Sequence, residues 1–332
     1  MKQTVPHRIL ALLLSLVFCF SLGSTAAVAA SKTAEKRPMI LVGGLSSYAP
    51  DSKLAEKNGH MMGCSYYRDY AKILREKGIP AYESTQAPYR SNWDQACELF
   101  ANIKGGRVDY GKAHSEKYGH SRFGRTFPGL YPKWDDSHSI DLFGLSMGAE
   151  TLQILSSLLA WGDADERKAS PDDCSILFQG GHGKMVNSVS TIVGINNGTT
   201  FADLCFHLID QMTRGHEKIM DIASTLCGVI GLACQGIDLS AYLDTMFDQW
   251  DLQPQEGETN IHYIARCISE SNIWKCRDVC WWDMTTWGAK EIQKEHPSNP
   301  DAYYFAYPLS PVFRTTAVPS RNPTAPNWFS LR

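Results

Sequence analysis

Short apolar runs alternate along this chain with segments in which apolar residues recur at helical spacing. The apolar runs are residues 38–45, 81–85, 139–145 and 189–195. Each is bounded by Gly, Pro or Asn, which predicts a buried strand. The helical segments are residues 66–77, 94–103 and 148–161. This alternation predicts an α/β fold with a mostly parallel sheet and helices on both faces.

Two long segments do not follow this alternation. Residues 105–132 are rich in Gly, His, Tyr and Arg, and they are predicted to be an irregular excursion, since they are too long for a simple connection. Residues 201–242 are strongly apolar with a helical pattern, which suits either a buried helix pair or a mobile apolar cover. Because no repeat or low-complexity linker is present, residues 31–332 are predicted to form a single domain.

The first thirty residues have the order of a secretory signal peptide. Lys2 and Arg8 precede an apolar stretch at residues 9–22, and small residues follow up to Ala29 and Ala30. The apolar stretch is short and ends in cleavable residues, which argues against a stable membrane span. The sequence therefore predicts a signal peptide at residues 1–30 and a secreted, extracellular protein.

Charge and cysteine content exclude some classes of protein. The formal net charge is −3, and no basic stripe is present, so the sequence gives no indication of nucleic-acid binding. One of the ten cysteines lies in the signal peptide, and the others are irregularly spaced, unlike a disulfide scaffold. The nearest pairs, Cys227–Cys234 and Cys276–Cys280, are predicted to be either disulfides or buried thiols.

Residues 144–148, GLSMG, fit the G-x-S-x-G pattern of a serine nucleophile between a strand and a helix. Such a serine occupies a sharp, strained turn, where side chains in place of the glycines would clash. Ser146 is therefore predicted to be a nucleophile. The backbone N–H groups of Met147 and of Leu45, in the glycine turn after the first strand, are the candidate oxyanion donors.

Several stretches, taken together, match one family in order over residues 38–304. They are SNWDQACEL, GGRVDYGKAHSEKYGHSRFGRTFPGLYP, the GLSMG turn, LFQGGH, NNGTT, FDQWDL and IWKCRD. On these stretches the chain resembles the thermophilic bacillus and staphylococcal secreted lipases. The resemblance implies an α/β-hydrolase fold with a zinc-binding insertion at residues 94–132 and lid helices at about residues 201–242.

The resemblance also implies a zinc ion held by two aspartates and two histidines. These fall on Asp94, His114, His120 and Asp278, and all four are present. With every position taken by protein, the zinc is expected to be structural. Cys276 and Cys280 flank the last aspartate, which departs from the family pattern. A thiolate could replace a carboxylate on zinc, or the two cysteines could form a disulfide.

The aspartate and histidine partners of Ser146 cannot be assigned from the sequence. The resemblance implies that both follow the serine, in a region that has no counterpart here, together with the calcium site of the family. The chain is therefore predicted to be C-terminally incomplete, with an exposed sheet edge and poor solubility. Asp283 and His296 follow Ser146 in a permitted order, but the stretch around His296, KEHPSNP, is predicted to be an exposed loop.

These observations predict a carboxylic-ester hydrolase, a triacylglycerol lipase that acts through Ser146 on a lipid or ester substrate at an interface. The alternative is a truncated, catalytically inactive lipase-like protein that binds lipid or a partner. A third hypothesis is an active hydrolase whose base has been relocated. The sequence does not indicate an oligomeric state.

Overall fold

A five-stranded parallel sheet organises the chain. The computed structural model describes residues 36–45, 47, 68–204, 207, 248–253, 255–258, 262–263, 266 and 276–308. The strands are β1 (Met39–Val42), β2 (Ala81–Glu83), β3 (Gly106–Asp109), β4 (Phe123–Phe127), β5 (Ile140–Leu145), β6 (Val186–Ile192) and β7 (Tyr303–Tyr307). The order across the sheet is β2-β1-β5-β6-β7, and every pair is parallel.

Helices cover both faces of this sheet, as the sequence predicts. They are α1 (Arg68–Glu76), α2 (Asn92–Lys104), α3 (Lys112–Tyr118), α4 (Gly148–Trp161), α5 (Ala164–Ala169), α6 (Ile176–Gln179), α7 (Cys280–Asp283) and α8 (Thr286–Glu295). Ile40 and Leu142 pack in one core cluster with residues of α2 and α4. Leu41 belongs to a second cluster with Ala71 and Leu74 of α1. Neighbouring residues of β1 thus point to opposite faces, as the two-residue period of a strand requires.

The segment 105–132 is more regular than predicted. β3 and β4 pair as an antiparallel hairpin with Gly106 opposite Phe127, and α3 lies between them. Val108 is fully buried, whereas much of the segment is polar. Because much of the hairpin segment is polar, it lacks the apolar periodicity from which strands are predicted. Hydrogen bonds and ion pairs of these polar residues help to stabilise the hairpin.

Two other strands differ from the prediction. β6 begins and ends three residues earlier than expected, because Asn187 and Ser188 bond with the side chain of Asp141 and so fit within the sheet. β7 was not predicted, and all five of its residues are exposed. It is the last strand on its side of the sheet among the described residues.

Three regions of interest lie wholly or mostly outside the described residues. They are the predicted signal peptide at residues 1–30, most of the predicted lid at residues 201–242, and residues 309–332. Within the part of the chain that is described, no helix has both the length and the apolar character needed to cross a membrane.

Candidate active site and metal centre

Ser146 occupies a strained turn between β5 and α4. Its φ angle is 54°, in the left-handed region that residues other than glycine rarely adopt. β5 ends one residue before it, and α4 begins two residues after it. The Ser146 N–H donates to the carbonyl of Ile192 at 3.1 Å, which anchors the turn to the neighbouring strand β6. Strain of this kind persists only where the surrounding structure enforces it.

The glycines around Ser146 make this turn possible. A Cβ atom on Gly144 would lie 3.0 Å from the carbonyl oxygen of Gly148. A Cβ atom on Gly148 would lie 2.5 Å from the carbonyl oxygen of Gly43, in the loop after β1. A Cβ atom on Gly44 would lie 3.0 Å from Cβ of Ser146. The loop after β1 and the turn before α4 are therefore packed backbone against backbone.

The two predicted oxyanion donors belong to these two segments. The Leu45 N–H lies in the loop after β1, and the Met147 N–H lies in the turn before α4. Met147 N is 3.6 Å from the position of a Cβ atom on Gly44, and Leu45 is the next residue of that loop. No hydrogen bond from the Met147 N–H is formed within the described chain, so this donor is available to a ligand. The two donors remain a prediction, since they become functional only when an oxyanion is bound.

A base for Ser146 is not found among the described residues, where no histidine is hydrogen-bonded to its side chain. Asp283 is buried and accepts a hydrogen bond from the Asn92 N–H at 2.6 Å. His296, predicted to be in an exposed loop, is only 8% exposed. That prediction was wrong, because the ring of His296 packs against Trp93 with 5.7 Å between ring centroids. Burial lowers the pKa of His296 to about 4.

Four side chains converge in a separate group near the N-terminus of α2. They are Asp94 of α2, His114 of α3, His120 just beyond α3, and Asp278 just before α7. One ligand atom from each lies within 4.8 Å of the others. Gly119, with φ of 80°, ends α3 and turns the chain so that His120 points back beside His114. The two histidines thus face one point although they do not share a helical face.

The distances and burial in this group suit a metal ion. His114 Nε2 lies 3.4 Å from Asp94 Oδ1 and 3.2 Å from Asp278 Oδ1, and His120 Nε2 lies 3.3 Å from Asp278 Oδ2. One side-chain atom of each of the four residues is buried and has no hydrogen-bond partner. Buried polar atoms are normally paired, so four such atoms facing one another indicate a site for a cation.

Neighbouring residues hold these ligand atoms in place. His120 Nδ1 lies 2.9 Å from the carbonyl oxygen of Ser121, which leaves Nε2 as the metal-binding atom when Nδ1 carries the proton. Gln249 donates from Nε2 to Asp94 Oδ2. Trp93 stacks on the ring of His114 at 4.9 Å with an interplanar angle of 11°. The ring orientations are therefore set by residues outside the group.

Without an ion, the group behaves as a buried cluster of interacting charges. Burial acts to lower the pKa of His114, but the charges and hydrogen bonds of Asp278 and Asp94 together outweigh it and raise this pKa to about 10. Burial acts to raise the pKa of Asp278, and His114 holds it well below its usual range. A divalent cation would take the place of these protons as the compensating positive charge.

Cysteine is not part of this group among the described residues. Cys276 and Cys280 flank Asp278, but neither supplies a ligand atom, and they are not joined in a disulfide. Burial raises the pKa of both thiols, which disfavours the thiolate that a metal would require. Cys97 and Cys174 are thiols too, whereas Cys227 and Cys234 lie outside the described residues.

Sequence reasoning missed two residues that support the group. Ser91 caps α2, since its hydroxyl accepts a hydrogen bond from the Asp94 N–H at 3.2 Å and so holds the backbone at that residue. Its signal was local, because a serine three residues before an aspartate is a capping pattern. Gln249 lies in FDQWDL, one of the matching stretches, but its amide gave no sign of its partner Asp94.

Comparison with known proteins supports the fold described above. A family model described as "Lipase-like, C-terminal domain" matches residues 35–329. A lipase of Staphylococcus epidermidis is 34% identical over 284 residues, which is 84% of this chain and 39% of the relative. Lipase 1 of Staphylococcus aureus is 34% identical over 277 residues, covering 81% of this chain and 38% of the relative. The chain thus spans about two fifths of these curated relatives.

Solved structures give the same result. EstA from Clostridium botulinum has a TM-score of 0.68 and 37% identity, covering 81% of this chain and 59% of that one. Lipase 1 from Pelosinus fermentans has a TM-score of 0.66 and 35% identity, over 82% and 67% of the two chains. Staphylococcus hyicus lipase has a TM-score of 0.61 and 31% identity, over 82% and 66%. The predicted α/β-hydrolase fold is confirmed.

Proposed function

Because the chain belongs to the lipase-like family, we propose that it is a carboxylic-ester hydrolase that acts through Ser146. The observation that carries this proposal is the backbone of the turn. Ser146 has a φ angle of 54° where a strand meets a helix, and Gly44, Gly144 and Gly148 pack around it without room for side chains. This geometry exposes a serine hydroxyl beside backbone N–H donors, which is what acyl transfer requires.

In this proposal, the hydroxyl of Ser146 attacks the ester carbonyl and forms a tetrahedral intermediate. The N–H groups of Leu45 and Met147 stabilise its oxyanion. A histidine must accept the serine proton and return it to the departing alcohol, and an acidic residue must orient that histidine. These two partners are not assigned. Removal of one oxyanion donor typically lowers kcat by about 10² to 10³.

We propose lipids as the substrate class, with triacylglycerol as the preferred ester. The relatives named as lipases support this class. The first residues of the predicted lid support it too, since Phe201 and Leu204 are exposed apolar side chains, 71% and 54% exposed. Exposed apolar side chains of this kind suit contact with a lipid surface. The predicted signal peptide at residues 1–30 is consistent with secretion to meet such a substrate.

The metal group would hold Zn²⁺ through Asp94, His114, His120 and Asp278. Two carboxylates and two imidazoles form a donor set that zinc accepts, and the four buried atoms without partners fit it. Bound there, the ion would supply a fixed positive charge that crosslinks three parts of the chain. Those parts are α2, the hairpin segment with α3, and the residues just before α7.

A second candidate function is lipid binding without hydrolysis on the same fold. The observation that favours it is that no histidine of the described residues is hydrogen-bonded to Ser146. Without a base, a serine hydroxyl is a weak nucleophile. The same protein could still hold a lipid ester in the site without cleaving it.

Hydrolysis of p-nitrophenyl butyrate by the purified chain separates these candidates. We expect turnover above the background rate and its loss in Ser146→Ala. Ser137→Ala, which alters an exposed serine, should retain the wild-type rate. Equal rates for the wild type and Ser146→Ala, together with saturable binding of lipid vesicles, would favour the non-catalytic candidate.

A further inference from the structure

Asn92 joins the metal-bearing helix to the helix that follows Ser146. It is the first residue of α2, two residues before Asp94, and is fully buried. Its side-chain Nδ2 donates to Glu150 Oε2 at 3.0 Å, and its Oδ1 accepts from the Thr151 hydroxyl at 2.8 Å. Its backbone N–H donates to Asp283 Oδ2 at 2.6 Å. One small side chain therefore connects separate elements in the interior.

The partners on the Ser146 side lie in the first turns of α4. Glu150 and Thr151 follow Ser146 by four and five residues, and both are at most 1% exposed. Their backbone N–H groups donate to the Met147 carbonyl at 3.0 and 3.3 Å, and the Ala149 N–H donates to the Ser146 carbonyl at 3.1 Å. A shift of these two side chains is therefore transmitted through short hydrogen bonds to the backbone of the Ser146 turn.

Asn92 is also connected to the two segments that carry the ligand residues Asp94 and Asp278. Ser91, the residue before Asn92, caps α2 by accepting a hydrogen bond from the Asp94 N–H at 3.2 Å. Asp283, which accepts from the Asn92 N–H, ends the short helix α7 that follows Asp278. An ion that draws Asp94 and Asp278 together fixes the position of Asn92 relative to both segments.

We propose that Asn92 is a positioning residue that couples metal occupancy to the geometry of the Ser146 turn. Its consequence for catalysis rests on the proposed function, whereas the coupling itself does not. A buried side chain that is hydrogen-bonded at both its nitrogen and its oxygen between two helices can carry such coupling, because neither helix can move without breaking a bond that has no replacement from water.

Hydrogen–deuterium exchange of the full chain with and without added Zn²⁺ tests the coupling directly. The amides to follow are those of Ala149, Glu150 and Thr151. In the wild type, zinc should slow their exchange about tenfold, a typical size for coupling between two sites. In Asn92→Ala, zinc should still bind with the same stoichiometry but should no longer change exchange at these three amides.

Asn102→Ala provides the matched control. Asn102 is also a buried asparagine of α2, and its Oδ1 accepts from the Thr85 N–H at 3.0 Å. Its loss should lower stability in a comparable way but leave the effect of zinc on the Ser146 turn intact. If Asn92→Ala does not fold, Thr151→Val replaces the hydroxyl that lies within hydrogen-bond distance of Asn92 Oδ1 and of Gln95 Oε1, and it should weaken the zinc effect in part.

Two results would overturn the proposal. One is zinc-dependent protection of these amides that survives in Asn92→Ala, and the other is zinc binding that leaves them unchanged in the wild type. Ester hydrolysis is measured separately on the same samples, and Asn92→Ala should lower kcat with little change in KM. Absence of hydrolysis in the wild type would contradict the proposed function, while the exchange result would still decide the coupling.

Discussion

The Ser146 turn and the metal group are two polar sites of one fold that are assembled in opposite ways. The turn is formed by adjacent residues at one strand–helix junction, backed by the loop after β1. The metal group draws its ligands from Asp94, His114, His120 and Asp278, which are far apart in the chain. A local site is encoded in a short motif, whereas a dispersed site depends on the whole fold to bring its members together.

The two sites also differ in what the described residues supply. All four ligands of the metal group are present, with neighbours that orient them. The turn has its strained serine and an available N–H on Met147, but no hydrogen-bonded histidine within the described chain. The metal group can therefore be tested as a whole, while the turn is tested through its nucleophile.

Removal of a metal ligand should have the largest effect. We expect His120→Ala to lose the bound ion and several kcal/mol of stability, since a structural zinc can contribute on the order of 10 kcal/mol in small domains. Metal content after dialysis and the melting temperature measure both effects. His138→Ala is the control, because His138 is about half exposed beside Asp135 and lies outside the group. Unchanged metal content in His120→Ala would contradict the assignment.

The second effect concerns a buried ion pair between Arg90, just before α2, and Glu98 of α2. Arg90 Nη1 lies 2.6 Å from Glu98 Oε1, both side chains are 1% exposed, and Tyr110 donates to the same carboxylate at 2.9 Å. Glu98→Ala leaves a buried guanidinium without its partner, so we expect a loss of about 3–5 kcal/mol in chemical denaturation.

The exposed pair between Arg277 and Glu291, at 3.8 Å, is the comparison for that ion pair. Glu291→Ala should change the free energy of unfolding by less than about 1 kcal/mol, because exposed pairs are weak. Similar losses in Glu98→Ala and Glu291→Ala would show that the buried pair contributes no more to stability than the exposed one.

The third effect depends on pH and tests whether His296 is structural. Burial lowers its folded-state pKa to about 4 from 6.5, so its contribution is present above pH 6.5 and is lost as pH falls toward 4. Relative to His296→Asn, the wild type should lose up to about 3 kcal/mol over this range. Loss of ester hydrolysis in folded His296→Asn would instead mark His296 as the base.

The smallest stability effect should come from Gly148→Ala. Its new Cβ atom would lie 2.5 Å from the Gly43 carbonyl oxygen, and we expect this clash to cost about 1–3 kcal/mol. Displacement of the turn should lower kcat by about 10², since misplacement by about 1 Å can have that effect. Gly181→Ala is a matched control that costs similar stability through its φ angle of 82° but has open space around it. Equal kcat values in the two variants would contradict the close packing of the turn.

Much of the fold could be predicted because its signals are local. β5 and α4 are an apolar run and an amphipathic helix with glycines between them, and the structure has them almost as predicted. β7 was missed because Tyr303, Phe305 and Tyr307 are exposed and show no alternation. The hairpin of β3 and β4 was missed because polar contacts, such as that of Arg122 with Asp109, stabilise it.

The candidate sites also divide into features that a local sequence pattern predicts and features that it does not. The strained geometry of Ser146 followed from five residues, but the ligands Asp94 and Asp278 were identified only through a family resemblance. No short sequence pattern indicates that these two aspartates share a site, because the chain between them must fold before they meet. The burial of His296 could not be predicted either, because its neighbours in sequence are polar and the residue that buries it, Trp93, is distant.

Covalent labelling is the most direct test of whether Ser146 is a nucleophile. The purified chain, with zinc present, is treated with a fluorophosphonate and its mass is measured before and after digestion. We expect one adduct per chain, located on the peptide that contains Ser146 and absent in Ser146→Ala. A wild-type chain that binds zinc and is folded, yet acquires no adduct or acquires the same adduct in Ser146→Ala, would contradict it.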